Sequence, residues 1–211
     1  MPGLISSLLG TAGLLPFIFS STSYLMKGNH DEIANKCSAR ARRVGSSWSK
    51  VIPILQNQGF NVVAAQIPLT SLDDDIGMTK NLLASQKGPT ILVGHSYGGV
   101  VISGAANDAT NVVALVYIAA FALDEGESIE SLGKQGPAPA GAAHIRPDDE
   151  GFLWIDRDGF SQAFASDVDP IEARIMAAVQ KPLSVNRSRQ SRVRPPGSIY
   201  RPGIWSLPTI R

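Results

Sequence analysis

The sequence predicts an α/β fold: a doubly wound, mostly parallel sheet with helices on both faces. Three observations carry that expectation. Short runs rich in Val, Ile, Leu and Ala, at 61–67, 90–94 and 111–120, alternate with stretches of helical spacing. The runs are nearly continuous in apolar residues, as strands covered on both faces must be. Turn residues punctuate the alternation, at Gly59, at Pro68 and at Lys87-Gly88-Pro89. Right-handed crossovers between parallel strands follow by default.

In chain order, residues 47–58 read as a helix, because Trp48, Val51, Ile52 and Leu55 recur at helical spacing. Pro53 is tolerable so near its start, and Gly59 suits its stop. Residues 61–67 then form a buried strand ended by Pro68. Leu72, Ile76, Thr79 and Leu83 mark one face of a second helix. Asp73, Asp74 and Asp75 stand in its first turn, where negative charge offsets the helix dipole. They read as a solvated helix start, since adjacent carboxylates point in different directions around a helix. Residues 90–94 form the next strand, 97–109 a helix, and 111–120 another strand. From Leu123 to Asp167 the character changes, with Gly133, Gly136, Pro137, Pro139 and Gly141 among acidic and aromatic residues. Residues 170–180 read as a helix, with Asp169 as N-cap and Pro170 at the first helical position. Beyond Asn186 the pattern gives way to Arg, Ser, Pro and Gly, and no internal repeat is visible.

A chain of 211 residues suffices for one domain with a sizeable core. Its net charge of +1 gives no argument for nucleic acid as a partner. Basic residues gather at Arg40, Arg42 and Arg43, and at Arg187, Arg189, Arg192 and Arg194, where solvated arms are the expectation. The single cysteine, Cys37, excludes an intrachain disulfide and has no motif around it. The apolar run 4–19 is broken by Gly10, Gly13 and Pro16 and is too short for a stable membrane span. It has the look of a signal-peptide core, yet no Lys or Arg precedes it, so the cytoplasm is slightly favoured over export.

The informative stretch is Thr90-Ile91-Leu92-Val93-Gly94-His95-Ser96-Tyr97-Gly98-Gly99. A strand-type run leads into Gly-x-Ser-x-Gly and a helix-type pattern follows, the context of a nucleophile elbow. Such a turn lifts a serine out of the sheet. A Cβ at Gly94 or Gly98 would collide with neighbouring backbone, and Gly99 lets the helix pack close. Ser96 is the candidate nucleophile, and the backbone N–H of Tyr97 is a candidate oxyanion donor. The dipole of the following helix favours negative charge at that point.

Gly94-His95-Ser96-Tyr97-Gly98-Gly99 resembles the elbow of the α/β-hydrolase superfamily, especially its small esterase and hydroxynitrile-lyase members. The resemblance runs from about Gly45 to Val185. It includes Gly45-Ser46-Ser47-Trp48, Gly59-Phe60-Asn61-Val62-Val63-Ala64-Ala65 and Val116-Tyr117-Ile118-Ala119-Ala120-Phe121-Ala122. It implies an α/β-hydrolase core at 45–185, with a lid at about 123–167 over the serine and Phe152, Trp154, Phe160 and Phe164 either lining it or packing it down. A poorly defined leader at 1–44 and an irregular basic tail at 186–211 flank that core. The implied reaction is cleavage of an ester or similar bond in a small molecule through an acyl-serine intermediate. A hydroxynitrile-lyase-like enzyme and a non-catalytic ligand-binding relative are the alternatives. No metal or organic cofactor is implied, since no His, Cys or carboxylate cluster has ligand spacing. Substrate and oligomeric state are left open.

The superfamily order is Ser, then Asp or Glu, then His. This chain has three histidines. His95 adjoins the serine and cannot turn back onto it, His30 lies in the leader, and His144 lies in the lid segment. Asp124 and Glu125 follow the strand at 111–120 and read as a charged hinge. The strand ending in His-Gly that should precede Gly45 is replaced by Cys37-Ser38-Ala39-Arg40-Ala41-Arg42-Arg43-Val44. Codons for residues 37–41, read one nucleotide later, permit Val-Leu-His-Gly. Codons for 201–210, read two nucleotides later, permit Thr-Trp-Tyr-Leu-Val-Ala-Thr-Asp. An altered frame at both ends, with truncation at the C-terminus, would account for the abrupt loss of likeness. Catalysis is therefore expected to be impaired.

Overall fold

The computed structural model describes residues 17–20, 48–135, 138, 140–185 and 204–206. Its central sheet has five parallel strands in the order β2-β1-β3-β4-β8. These are β1 (Phe17–Ser20), β2 (Val62–Ala64), β3 (Thr90–Ser96), β4 (Val112–Ala120) and β8 (Ile204–Ser206). A second, antiparallel sheet, β5-β6-β7, is built from β5 (Ile145–Pro147), β6 (Phe152–Ile155) and β7 (Leu183–Ser184).

Helices cover both faces of the central sheet, as expected of continuous apolar strands. On one face, α2 (Leu72–Ala84) and α3 (Gly98–Ala105) bury Leu83, Ile102 and Ala105 against Leu92, Leu115 and Tyr117. On the other, α1 (Val51–Asn57) lays Val51, Ile52 and Leu55 over Val62, Val93 and Val116. Leu92 and Val93 thus point to opposite layers, the period-two alternation of a strand. Burial of these side chains contributes about 1.5–3 kcal/mol each.

Helix boundaries follow local chemistry. A turn at 48–50 precedes α1, so Pro53 falls at its third residue, where a missing N–H costs little. Gly59, at φ +82°, ends it. The side chain of Ser71 caps α2 by accepting from the N–H of Asp74. Asp169 caps α6 (Pro170–Val179) by accepting from the N–H groups of Ile171 and Glu172, with Pro170 first in the helix. The helix expected over 97–109 is shorter: it stops at Ala105, and Asp108 turns into the left-handed region at φ +65°. The strand expected over 61–67 keeps only Val62–Ala64 in the ladder.

Three expectations are corrected. The place beside β3 is filled by Phe17–Ser20, out of the apolar run read as leader, with Ser20 paired to Gly94. Ile204–Ser206, out of the tail, pairs with Leu115–Tyr117 of β4. Both segments carry the β-branched and aromatic residues that suit a pleated ladder. Cys37 to Val44 lie outside the described residues. Thirdly, Asp75 is not a solvated first-turn carboxylate but is fully buried.

The segment after β4 is structured throughout most of its length. It contains α4 (Ile129–Gly133), a 3-10 turn at Ala140–His144, β5, β6 and α5 (Phe160–Phe164). Together with α6 it has its own small core of Phe160, Ala165, Ala173 and Ala177. The side-chain amide of Gln180 bonds both ways to the backbone of Ile155, at 3.0 and 2.9 Å. Lys181 reaches back to the carbonyl of Ile67, 2.8 Å away, and ties this layer to the loop leaving β2. Among the described residues no helix is long and apolar enough to cross a membrane.

Candidate active site

In a parallel sheet the loops at the carboxyl ends of the strands form the crevice where ligands bind. That edge is also where this backbone is strained. Four described non-glycine residues have positive φ: Leu69 (64°), Ser96 (52°), Asp108 (65°) and Ala119 (42°). Three of them lie at this edge: Leu69 in the loop leaving β2, Ser96 as the last residue of β3, and Ala119 near the end of β4. A left-handed, non-glycine residue costs about 1–3 kcal/mol and persists only where the surroundings impose it.

The surroundings of Ser96 do impose it. The Ser96 carbonyl accepts from the N–H of Phe121 at 3.0 Å. The ladder to β4 shifts register between His95 and Ser96, which bends the strand end away. One residue later the chain is helical, with Tyr97 at the N-cap and Gly98 opening α3. This reversal leaves no room at Gly94. A Cβ there would stand 2.7 Å from the carbonyl carbon and oxygen of Gly98 and 2.8 Å from the nitrogen of Gly99. A Cβ at Gly99 would meet the Phe121 carbonyl and, at 3.0 Å, the side chains of Ala120 and Tyr117. The glycine therefore lets α3 approach the end of β4 rather than its own strand β3. Ser96 ends up half-buried, on a rigid turn at the sheet's edge.

Tyr97 is buried, and its hydroxyl donates to Oδ2 of Asp75 at 2.8 Å. The other carboxylate oxygen of Asp75 accepts from the N–H of Leu69, also at 2.8 Å. The sequence marks Asp75 only as part of a solvated helix start and gives Leu69 no role.

His95 turns its ring toward Phe164, edge-on, with centroids 6.1 Å apart. Phe164 in turn contacts Phe160, at 5.6 Å. Burial pushes the His95 imidazole below its ordinary value, so the neutral ring is favoured. The unfolded chain takes up that proton at about 6.5. The stability associated with neutral His95 is thus full above that pH and declines as the pH falls through it. Phe164→Ala should open the ring to water and raise its titration midpoint toward the ordinary value, followed by imidazole NMR. An unmoved midpoint would show that Phe164 does not shield it.

The four candidate lining aromatics separate. Phe164 reaches the turn through His95, whereas Phe160 is buried in the small core. Trp154 donates its indole N–H to Asp148 at 2.8 Å and remains partly exposed, and Phe152 pairs with Ser184 in the small sheet.

His144 is packed against Gly159, at the start of α5, where an added Cβ would strike the imidazole. That contact belongs to the β5–β6 layer. His30 lies outside the described residues. Asp124 and Glu125 are exposed on a turn closed by Glu127, which accepts from the N–H of Asp124 at 2.8 Å. Among the described residues no group of three His, Cys, Asp or Glu side chains could hold a metal ion.

The model of the alpha/beta hydrolase family matches residues 40–207. A pyrethroid hydrolase of Sphingobium wenxiniae is 28% identical over an alignment covering 51% of this chain and 44% of that protein. The chain thus spans less than half the length of this curated relative. A crystal structure of a pyrethroid hydrolase superposes with a TM-score of 0.53 at 26% identity, covering 60% of this chain and 58% of that one. A methylesterase from Arabidopsis gives 0.54 at 17% identity, with 72% and 67% covered, which speaks for the fold alone.

Proposed function

The chain belongs to the alpha/beta hydrolase family, and from that premise we propose that it acts on small carboxylic esters through an acyl-serine intermediate on Ser96. The observation that carries this reading is the left-handed Ser96 at the end of β3, at φ +52°, directly before α3. A turn of that form fits a nucleophile elbow, and strained backbone of this kind clusters at functional sites. The relative named pyrethroid hydrolase supports hydrolysis of a small molecule.

In this reading Ser96 Oγ attacks the ester carbonyl and its proton leaves to a base. The tetrahedral oxyanion takes a hydrogen bond from the Tyr97 N–H at the start of α3, where the helix dipole favours it. Collapse of the intermediate expels the alcohol and leaves the acyl group on Ser96. Water then releases the acid and restores the serine. The segment 123–167 serves as a lid, with Phe164 over His95 and with Leu123, Ile129 and Leu132 in the cluster that buries Tyr97.

Among the described residues His95 packs its ring against Phe164 and His144 lies against Gly159, and this reading assigns neither the role of base to Ser96. A serine without a paired base is a poor nucleophile at neutral pH. The proposal therefore includes impairment, with turnover of a short-chain aryl ester far below ordinary enzyme rates. Purified chain that cleaves such an ester at ordinary rates, of about 1–1000 per second, would contradict the impairment. Binding of the ester with no turnover at all would contradict the hydrolase.

A further inference from the structure

We propose that Asp75 is a positioning residue for the Ser96 turn, acting through the Tyr97 hydroxyl. The proposal rests on the reading of Ser96 as nucleophile.

A fully buried carboxylate is expensive unless donors surround it. Asp75 is placed to receive two, one on each oxygen. Oδ2 takes the Tyr97 hydroxyl and Oδ1 takes the Leu69 N–H, both at 2.8 Å. These donors come from separate crossings of the sheet edge. Leu69 belongs to the loop between β2 and α2, and Tyr97 to the turn between β3 and α3. Each bond also sits at a strained residue. Leu69 itself has φ +64°, and Tyr97 directly follows Ser96, at φ +52°.

The geometry gives the carboxylate a specific task. Tyr97 starts α3, and its own peptide N–H joins it to Ser96. Rotation of that peptide would swing the N–H offered to the oxyanion, and any shift of Tyr97 would move the backbone that carries the Ser96 side chain. The phenol, buried among Leu72, Val100 and Val101, is a lever attached to the same residue. Fixing its far end on α2 removes that rotation. The carboxylate is itself held, because α2 begins with a capped turn and packs Leu72 and Thr79 inward on either side of Asp75. An ionised carboxylate would hold the phenol more firmly than a neutral amide, the difference that Asp75→Asn tests.

The test uses the full chain and a fluorophosphonate. Its phosphorus accepts the Ser96 oxygen as the P–F bond breaks, fluoride departs and the serine proton passes to buffer. Tyr97→Phe deletes one oxygen and leaves Asp75 on Leu69. Asp75→Asn keeps the shape and loses the charge. Asp73→Asn, on the same helix turn, is the control. The maximal labelling rate per folded molecule should fall about tenfold in both Tyr97→Phe and Asp75→Asn, with half-saturation by the reagent unchanged. The double variant should fall no further than the worse single one, because both break the same bond. Asp73→Asn should label like the parent.

A merely structural carboxylate would lower the melting temperature and leave the rate per folded molecule alone, which overturns the proposal. Should Asp75→Asn fail to fold, Tyr97→Phe decides by itself: a parental rate refutes the positioning role. A parent chain whose adduct is absent, or lies elsewhere than Ser96, overturns the nucleophile reading and this proposal with it. Labelling at Ser96 that is indifferent to Tyr97→Phe and Asp75→Asn overturns the proposal alone.

Discussion

Ser96→Ala should bring ester cleavage by this chain down to the rate of buffer alone, with the fold unchanged. Loss of a nucleophile commonly costs several orders of magnitude in rate. With the impairment proposed above the parent rate is low, so the fall should end at the uncatalysed background. The fold should survive for a specific reason. Alanine and serine are nearly the same size, and both resist the left-handed region at φ +52° to a similar degree. What imposes the conformation is the surrounding backbone: the Phe121 N–H on the Ser96 carbonyl and the close passage at Gly94. Neither involves the hydroxyl. The change in stability should stay within about 0.5 kcal/mol. Circular dichroism and urea unfolding would check it beside the ester assay. Cleavage that persists in Ser96→Ala would place the reacting group elsewhere.

Gly94→Ala should unfold the chain or nearly so. The added methyl lands 2.7 Å from two backbone atoms of Gly98 and 2.8 Å from the backbone nitrogen of Gly99. A side chain could rotate away from such a clash, but the first turn of α3 cannot. That helix is pinned by Val100, Val101 and Ile102, all buried between α2 and the sheet. Relief requires moving α3 off β3, so the loss should be roughly 3 kcal/mol or more. Small domains have about 5–15 kcal/mol in all. Gly77→Ala is the instructive contrast. It lies within α2, where an added Cβ meets nothing within 4 Å, and it should gain about 0.5–1 kcal/mol in helix propensity. Urea midpoints of the two variants should therefore move in opposite directions. A Gly94→Ala protein as stable as the parent would mean that the turn is looser than its geometry.

The architecture was legible in the sequence wherever the cause is local. The run Thr90-Ile91-Leu92-Val93 is a strand because it is covered on two faces, and its composition says so. Ser71 and Asp169 cap their helices through their own side chains. The close approach at Gly94 follows from a strand meeting a helix within two residues. Each of these effects is complete within a few positions.

The misses depend on distant partners. Phe17–Ser20 becomes a central strand by pairing with Val62–Ala64 on one side and with β3 on the other. No local pattern distinguishes such a strand from an apolar leader. His144 meets Gly159 because the β5–β6 hairpin brings them together. The burial of Asp75 left one usable signal. It stands three residues after Leu72 and four before Thr79, on the inward stripe of α2. Reading the aspartates as a solvated group overlooked that only one of them shares the apolar face. Its partners, the Tyr97 hydroxyl and the Leu69 N–H, come from other loops and emerge only with the fold.

The central claim is that the strained serine at the end of β3 is the reacting group. Intact chain treated with a fluorophosphonate and digested should yield one modified peptide, with the added mass on Ser96. An adduct on a different side chain, or an unmodified Ser96 peptide after exhaustive treatment, would contradict it.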